Sequence, residues 1–139
     1  MSVRVFLDTN ILVYAVDRAE PETDKRAKAR EIIAQGGFGL SAQVLQEFYV
    51  TVTRKIKKPL SAARAARLVA ELAKLQIVTT DTTLINTAIA LSERYQISYW
   101  DGAIIAAAEA LDAKTVYSED LNHGQTYGSV RVENPFVGI

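Results

Sequence analysis

Val3-Arg4-Val5-Phe6-Leu7-Asp8-Thr9-Asn10, followed at once by Ile11-Leu12-Val13-Tyr14-Ala15-Val16, is the stretch on which the fold turns. Residues 3–7 read as a short apolar strand and the run from Asn10 to Val16 as a short helix, so a strand ends in an acid and gives way to a helix within three residues. A second strand-like run, Thr115-Val116-Tyr117-Ser118, is closed by Asp120. Ionised carboxylates rarely sit at the edge of a core unless they are paired or bind a cation. If both runs are parallel strands of one sheet, both acids project from carboxyl-terminal strand ends, where open α/β sheets place their sites.

Strand-like and helix-like segments alternate between these two runs. The first helix is expected to end near Glu20-Pro21; residues 22–35 continue as a helix closed by Gly36-Gly37, and Phe38-Gly39-Leu40 is a second strand. Ser41 can cap a helix from Ala42 to Ile56, stopped by Pro59, and Ser61 another to Leu75. Gln76 to Thr79 reads as a third strand, and Asp81 opens a helix to Tyr95. Ser98, three residues before Asp101, opens a helix to Leu111. After the strand at 115–118, Val130-Arg131-Val132 is predicted as a last edge strand, which Pro135 keeps short. Strands separated by helices imply right-handed crossovers and an α/β fold: a three-layer sandwich whose central, mainly parallel sheet of four to five strands is flanked by helices. The absence of repeats or linkers, and 49% hydrophobic content over 139 residues, predict a single domain spanning 1–139.

Composition narrows the chemistry. With no cysteine and one histidine, any metal must be held by oxygen. The first acidic residue, at position 8, comes too early for a secretory signal, and no apolar run approaches the ~18 residues that span a bilayer, so a soluble, cytoplasmic protein without a membrane partner is expected. Sixteen basic residues balance sixteen acidic ones, which argues against coating nucleic acid through an overall field. A local patch remains. Arg54, Lys55, Lys57, Lys58, Arg64 and Arg67 have no acid among them and suggest a phosphate track, the alternative being a solvated helix end favoured by the dipole. Lys25, Arg26, Lys28 and Arg30 are interleaved with Glu22, Asp24 and Glu31 and are expected to form surface ion pairs.

Two more acids lie on helices. Val44, Phe48, Val52 and Ile56 form a helical stripe with Glu47 at its flank, and Asp101 shares a face with Ile104, Ile105 and Ala108 from the first turn of its helix, where the dipole favours an anion. Singly, each acid has a structural explanation as a turn former, a flank residue or an N-terminal charge. Gathered within ~5 Å at an effective dielectric of ~20, however, each pair of charges would cost roughly 3 kcal/mol and the set about 20 kcal/mol, so the cluster must bind protons or a cation. Hard oxygen ligands select Mg²⁺ or Mn²⁺, and a water activated by such an ion can attack a phosphodiester in line. The expected reaction is metal-dependent hydrolysis by Asp8, Glu47, Asp101 and Asp120. An aspartyl-phosphate phosphatase would want a carboxylate at position 10, which is Asn. A non-catalytic module whose acidic pocket receives a basic partner segment is the remaining alternative. His123 reads as a loop-fixing residue, and Tyr99 and Trp100 as packing residues rather than base-stacking ones.

Four stretches, the run ending Asp8-Thr9-Asn10-Ile11-Leu12, Gln46-Glu47-Phe48, Tyr99-Trp100-Asp101-Gly102-Ala103-Ile104 and Ser118-Glu119-Asp120-Leu121, together resemble the PIN-domain family, and within it the VapC-type ribonuclease toxins of prokaryotic toxin–antitoxin pairs. The resemblance covers almost the whole chain and implies a PIN-like sandwich. It further implies a magnesium-dependent endoribonuclease with Asp8, Glu47, Asp101 and Asp120 around the metal and Thr9 or Asn10 orienting a ligand or carboxylate. Ser118 matches the position where the family often has threonine. Of the adjacent acids Glu119 and Asp120, the second, two residues past the serine, is preferred as the ligand. A cognate antitoxin, an RNA substrate and a homodimer are also implied; the alanine-rich helices at 61–75 and 81–95 offer surfaces for the last.

Overall fold

A computed structural model describes residues 3–19 and 23–139, so the helix end expected near Glu20-Pro21 lies outside the described residues. Six strands form one sheet: β1 (Val5–Leu7), β2 (Phe38–Ser41), β3 (Gln76–Val78), β4 (Thr115–Tyr117), β5 (Thr126–Tyr127) and β6 (Val130–Glu133). Their order is β3-β2-β1-β4-β6-β5, parallel throughout except for the antiparallel β5–β6 pair. The predicted mainly parallel sheet is present, with one strand more than expected. Val130 and Val132 are consequently fully buried, and the edge beside them is the two-residue β5. So short a strand carries no period-2 pattern, which is why the sequence did not announce it.

The helices are α1 (Thr9–Val16), α2 (Thr23–Gln35), α3 (Ala42–Val50), α4 (Ala62–Leu72), α5 (Thr82–Tyr95) and α6 (Tyr99–Ala110). Their starts are where short polar side chains predict them. Asp8, Ser41, Ser61, Asp81 and Ser98 each accept a backbone N–H in the first turn of the helix that follows. Among the described residues no helix is long and apolar enough to cross a membrane.

Chain direction across the sheet positions the site. From β1 through β2 to β3 the chain steps toward one edge, and then α5 and α6 carry it back past β1 to β4. Right-handed crossovers put helices on opposite faces when the direction of travel reverses. In keeping with this, α1 packs on α2 and α3, and α3 on α4, while α5 and α6 pack on each other. The reversal occurs between β1 and β4, and at their carboxyl ends the helix layers part to leave a crevice. Beneath it lies a core of Phe6, Leu7, Ile11, Leu40, Val44, Phe48, Ile105 and Val116.

The helix expected to run unbroken from Ala42 to Ile56 does not. At Val50 it widens into a π-turn, Thr51–Lys55, closed by a hydrogen bond from Ile56 N to Thr51 O. Thr53 Oγ1 donates to Tyr49 O at 2.7 Å, a back-bond of the kind that bends helices.

α6 begins against α5 at a point with no room for a side chain. A Cβ placed on Gly102 would stand 2.6 Å from Ala88 O and 3.2 Å from Ser92 N, both backbone atoms. Gly102→Ala is therefore expected to push α6 off α5 and destabilise the fold by roughly 1–3 kcal/mol, the usual cost of overpacking, measured by urea denaturation.

Candidate active site

All four predicted carboxylates line one cleft of about 680 Å³ between α1, α3 and α6. Asp8, at the end of β1, is buried at 5% exposure; its Oδ1 accepts from Thr9 N and its Oδ2 from Ser118 Oγ, each at 2.7 Å. Ser118 is itself buried at the end of β4, and its Oγ accepts from Asp120 N at 3.1 Å. One serine hydroxyl thus ties two of the acids together. Asn10 Nδ2 donates to Asp120 Oδ2 at 3.3 Å, Glu119 N donates to Asn10 Oδ1 at 3.4 Å, and Thr9 Oγ1 donates to Glu47 Oε1 at 2.9 Å. Thr9, Asn10 and Ser118 therefore orient carboxylates. Asp101 is half-buried in the first turn of α6, while Glu47 and Asp120 are exposed.

Burial, more than crowding, sets the electrostatics. The Asp8 carboxyl is pushed up to about 6, chiefly because burial disfavours its charge; hydrogen bonds from Ser118 and Thr9 N offset part of this, and repulsion from Asp120 and Glu47 adds less. Asp101 is raised as well, first by burial, with Asp120 contributing. Sequence reasoning expected mutual repulsion to dominate a tight cage. Instead, among the described residues no three Asp, Glu or His side chains stand ready to enclose an ion, because Asp8, Glu47 and Asp120 each face a neutral donor. The donor set still suits a hard divalent cation such as Mg²⁺ or Mn²⁺: every anionic ligand is oxygen, and five carboxylates, Asp17 included, line the cleft against the one ammonium of Lys55. Asp8, Glu47, Asp101 and Asp120 are the side chains available to hold one.

Glu119 is turned away from this cleft. Lys25 Nζ from α2 approaches Glu119 Oε2 at 2.7 Å, and Tyr14 OH donates to Glu119 Oε1 at 2.7 Å. The carboxylate holds the Lys25 ammonium above its ordinary range, and Lys25 also lies 4.9 Å from the Tyr14 ring centre. Of the two adjacent acids, Asp120 faces the cleft.

Other sequence expectations change. In the basic group on α2, Lys28 pairs with its near neighbour Glu31 at 3.8 Å, as expected. Arg26 and Arg30 reach the carbonyls of Asp17 and Ala15 at the end of α1, and Lys25 reaches Glu119, so the group docks α2 rather than decorating it. Of Arg54, Lys55, Lys57 and Lys58, all exposed, only Lys55 lines the cleft. The π-turn explains which one: its wider turn advances each residue by a smaller angle, bringing Lys55 instead of Arg54 round to the side of Glu47 and Thr51. Trp100, expected to pack inside, is 62% exposed on the cleft wall. His123 fixes its loop, Nδ1 accepting from Asn134 N at 2.9 Å. Asp17, which closes the apolar run Ile11–Val16, and Gln43 and Gln46 on the helix of Glu47 also line the cleft; none of the three was singled out from the sequence as a site residue.

The Asp8 shift has a measurable consequence. Its folded-state value of about 6 lies above the ordinary 3.8, so between these values the native protein holds a proton that the unfolded chain has released. The associated stability is complete below pH 3.8 and is lost as pH rises through about 6, a difference of up to roughly 3 kcal/mol. Asp8→Asn cannot ionise and is expected to escape this loss. With divalent cations chelated, its melting temperature relative to the parent protein should climb from pH 4 to pH 7 and exceed the parent's at the upper end.

No curated protein matches the sequence. The fold is similar to VapC20 of Mycobacterium tuberculosis, described as a sarcin–ricin-loop-cleaving toxin (17% identity over 91% of this chain and 98% of that one, TM-score 0.67). It is also similar to a chain of a toxin–antitoxin complex from Klebsiella pneumoniae (16% identity, 95% and 98%, TM-score 0.70) and to one of VapBC2 from Rickettsia felis bound to a promoter DNA fragment (23% identity, 94% and 97%, TM-score 0.62). The family model for the PIN domain matches residues 5–128, a span that takes in β1, the cleft and all four carboxylates; the chain belongs to the PIN domain family.

Proposed function

We propose that this protein is a Mg²⁺-dependent endoribonuclease and the toxin of a VapBC-type pair acting in the cytoplasm. The observation that carries the reading is the cleft itself, which Asp8, Glu47, Asp101 and Asp120 all line at the switch point of a PIN-domain sheet. Asp8, Glu47, Asp101 and Asp120 would hold the cation, with Mn²⁺ able to substitute. A divalent ion so bound supplies a Lewis acid for phosphoryl oxygens and lowers the pKa of water. The chain's own groups do the rest. Ser118 and Thr9 N fix both oxygens of Asp8, Asn10 and Thr9 steady Asp120 and Glu47, and Lys55 offers an ammonium to a phosphate at the cleft wall.

A cognate antitoxin fits a second feature. Leu12, Val16, Ile33, Phe48, Leu68 and Leu72 line an apolar groove of about 330 Å³ with Arg30 and Glu71 beside them, suited to the apolar residues of an inhibitory segment. Two of the similar structures are toxin–antitoxin assemblies, which supports the partner. Leu75, just past α4, and Ile89 on α5 are exposed apolar side chains that support homodimer contact there.

Purified protein is expected to cleave RNA with Mg²⁺ and to lose that activity in EDTA. Asp101→Asn should fold normally by circular dichroism yet cleave at least about 100-fold more slowly, since even outer-shell changes at metal sites cost 10–100-fold. Unchanged turnover at equal metal concentration would refute the role of Asp101. Lys55→Gln should weaken RNA binding across sequences and lower the salt slope of log Kd by about one, whereas Lys57→Gln should leave both unchanged.

A further inference from the structure

Trp100, the chain's single tryptophan, is 62% exposed on the cleft wall, next in sequence to Asp101. A large apolar ring left in water forgoes favourable burial, so its position needs a reason. It is also firmly mounted. Trp100 lies in the first turn of α6, where Ser98 Oγ accepts from Asp101 N and Gly102 is pressed against α5. Its carbonyl oxygen accepts from Gln43 Nε2 at 3.3 Å, and the Tyr99 ring meets the indole edge-on, with centres 5.0 Å apart at 81°. The Lys55 ammonium lines the same cleft.

An exposed aromatic plane on an anchored backbone, a cation and a group of carboxylates within one crevice match the parts of an unpaired nucleotide beside a scissile phosphate: a base to stack, a phosphate to neutralise and a bond to cut. We infer that Trp100 is a substrate-binding residue whose indole stacks on a base of single-stranded RNA next to the cleavage position. This rests on the nuclease reading and deepens it, because stacking on Trp100 requires that base to be unpaired. The apolar groove that suits a protein segment opens elsewhere, between α1, α2, α3 and α4.

The lone tryptophan provides its own reporter. Short single-stranded RNA titrated into the Asp8→Asn protein in EDTA is expected to quench tryptophan emission in step with binding read by anisotropy of labelled RNA. The same sequence as a duplex should quench far less. In otherwise unaltered protein with Mg²⁺, Trp100→Ala should raise KM for single-stranded RNA about 10- to 100-fold with little change in kcat, and Trp100→Phe should restore most of the loss. Binding without a change in emission, or an unchanged KM for Trp100→Ala, overturns the assignment, as does a defect of Trp100→Ala confined to binding of a protein partner. Failure of the parent protein to cleave any RNA would instead strike the nuclease reading, and quenching by unpaired strands would still report stacking.

Discussion

The buried hydrogen bond from Ser118 Oγ to Asp8 Oδ2 is the contact on which the site depends, since it joins the ends of the two strands between which the sheet reverses direction. Asp8 N donates to Tyr117 O at 3.0 Å alongside it, so backbone and side chain together hold the crevice floor. Burying a carboxylate there is costly, and hydrogen bonds to a charged group return about 1.5–3 kcal/mol each. Two such bonds do not suffice, because the carboxyl is still raised to about 6. The fold's remaining stability carries the residue of that cost, and a cation in the cleft would relieve it. A cation held by Asp8 would couple metal affinity to folding.

Much of this arrangement could be read from the sequence because it is written in local signals. Strand-ending acids at 8 and 120 and capping residues at 41, 61, 81 and 98 all act within a few residues of themselves. What escaped was decided at a distance. Resemblance alone prefers Asp120 to Glu119; the physical reason, Lys25 and Tyr14 brought in by α2 and α1 to hold Glu119, is not written locally. The basic residues of α2 looked like partners for adjacent acids, yet Arg26 and Arg30 satisfy the open carbonyls at the end of α1, a need that exists only once the two helices pack.

The π-turn shows how one local irregularity re-aims a cluster of charges. An unbroken α3 would bring Arg54 round beside Glu47 and turn Lys55 away, whereas the widened turn presents Lys55 to the cleft and leaves the other bases in solvent. Periodicity cannot anticipate this because it assumes one angle per residue throughout. Such turns occur often at functional sites, and here the effect is a single ammonium opposite five carboxylates.

The cleft and the apolar groove share their walls. α1 gives Val13 and Tyr14 to the cleft and Leu12, Ala15 and Val16 to the groove, and α3 gives Glu47 to one and Phe48 to the other. Alternating faces of two short helices thus separate the acidic site from the greasy one. A ligand in the groove can alter the carboxylates only by moving α1 or α3, and α1 resists that motion: Asp8 caps its start, while Arg26 and Arg30 bind the carbonyls at its end. Binding energy shifts a structure only as far as it differs between two states, and so well fastened a helix offers few alternatives. An inhibitory segment seated in the groove would therefore have to be long enough to reach round into the cleft and meet its carboxylates directly, with a basic side chain as the matching charge.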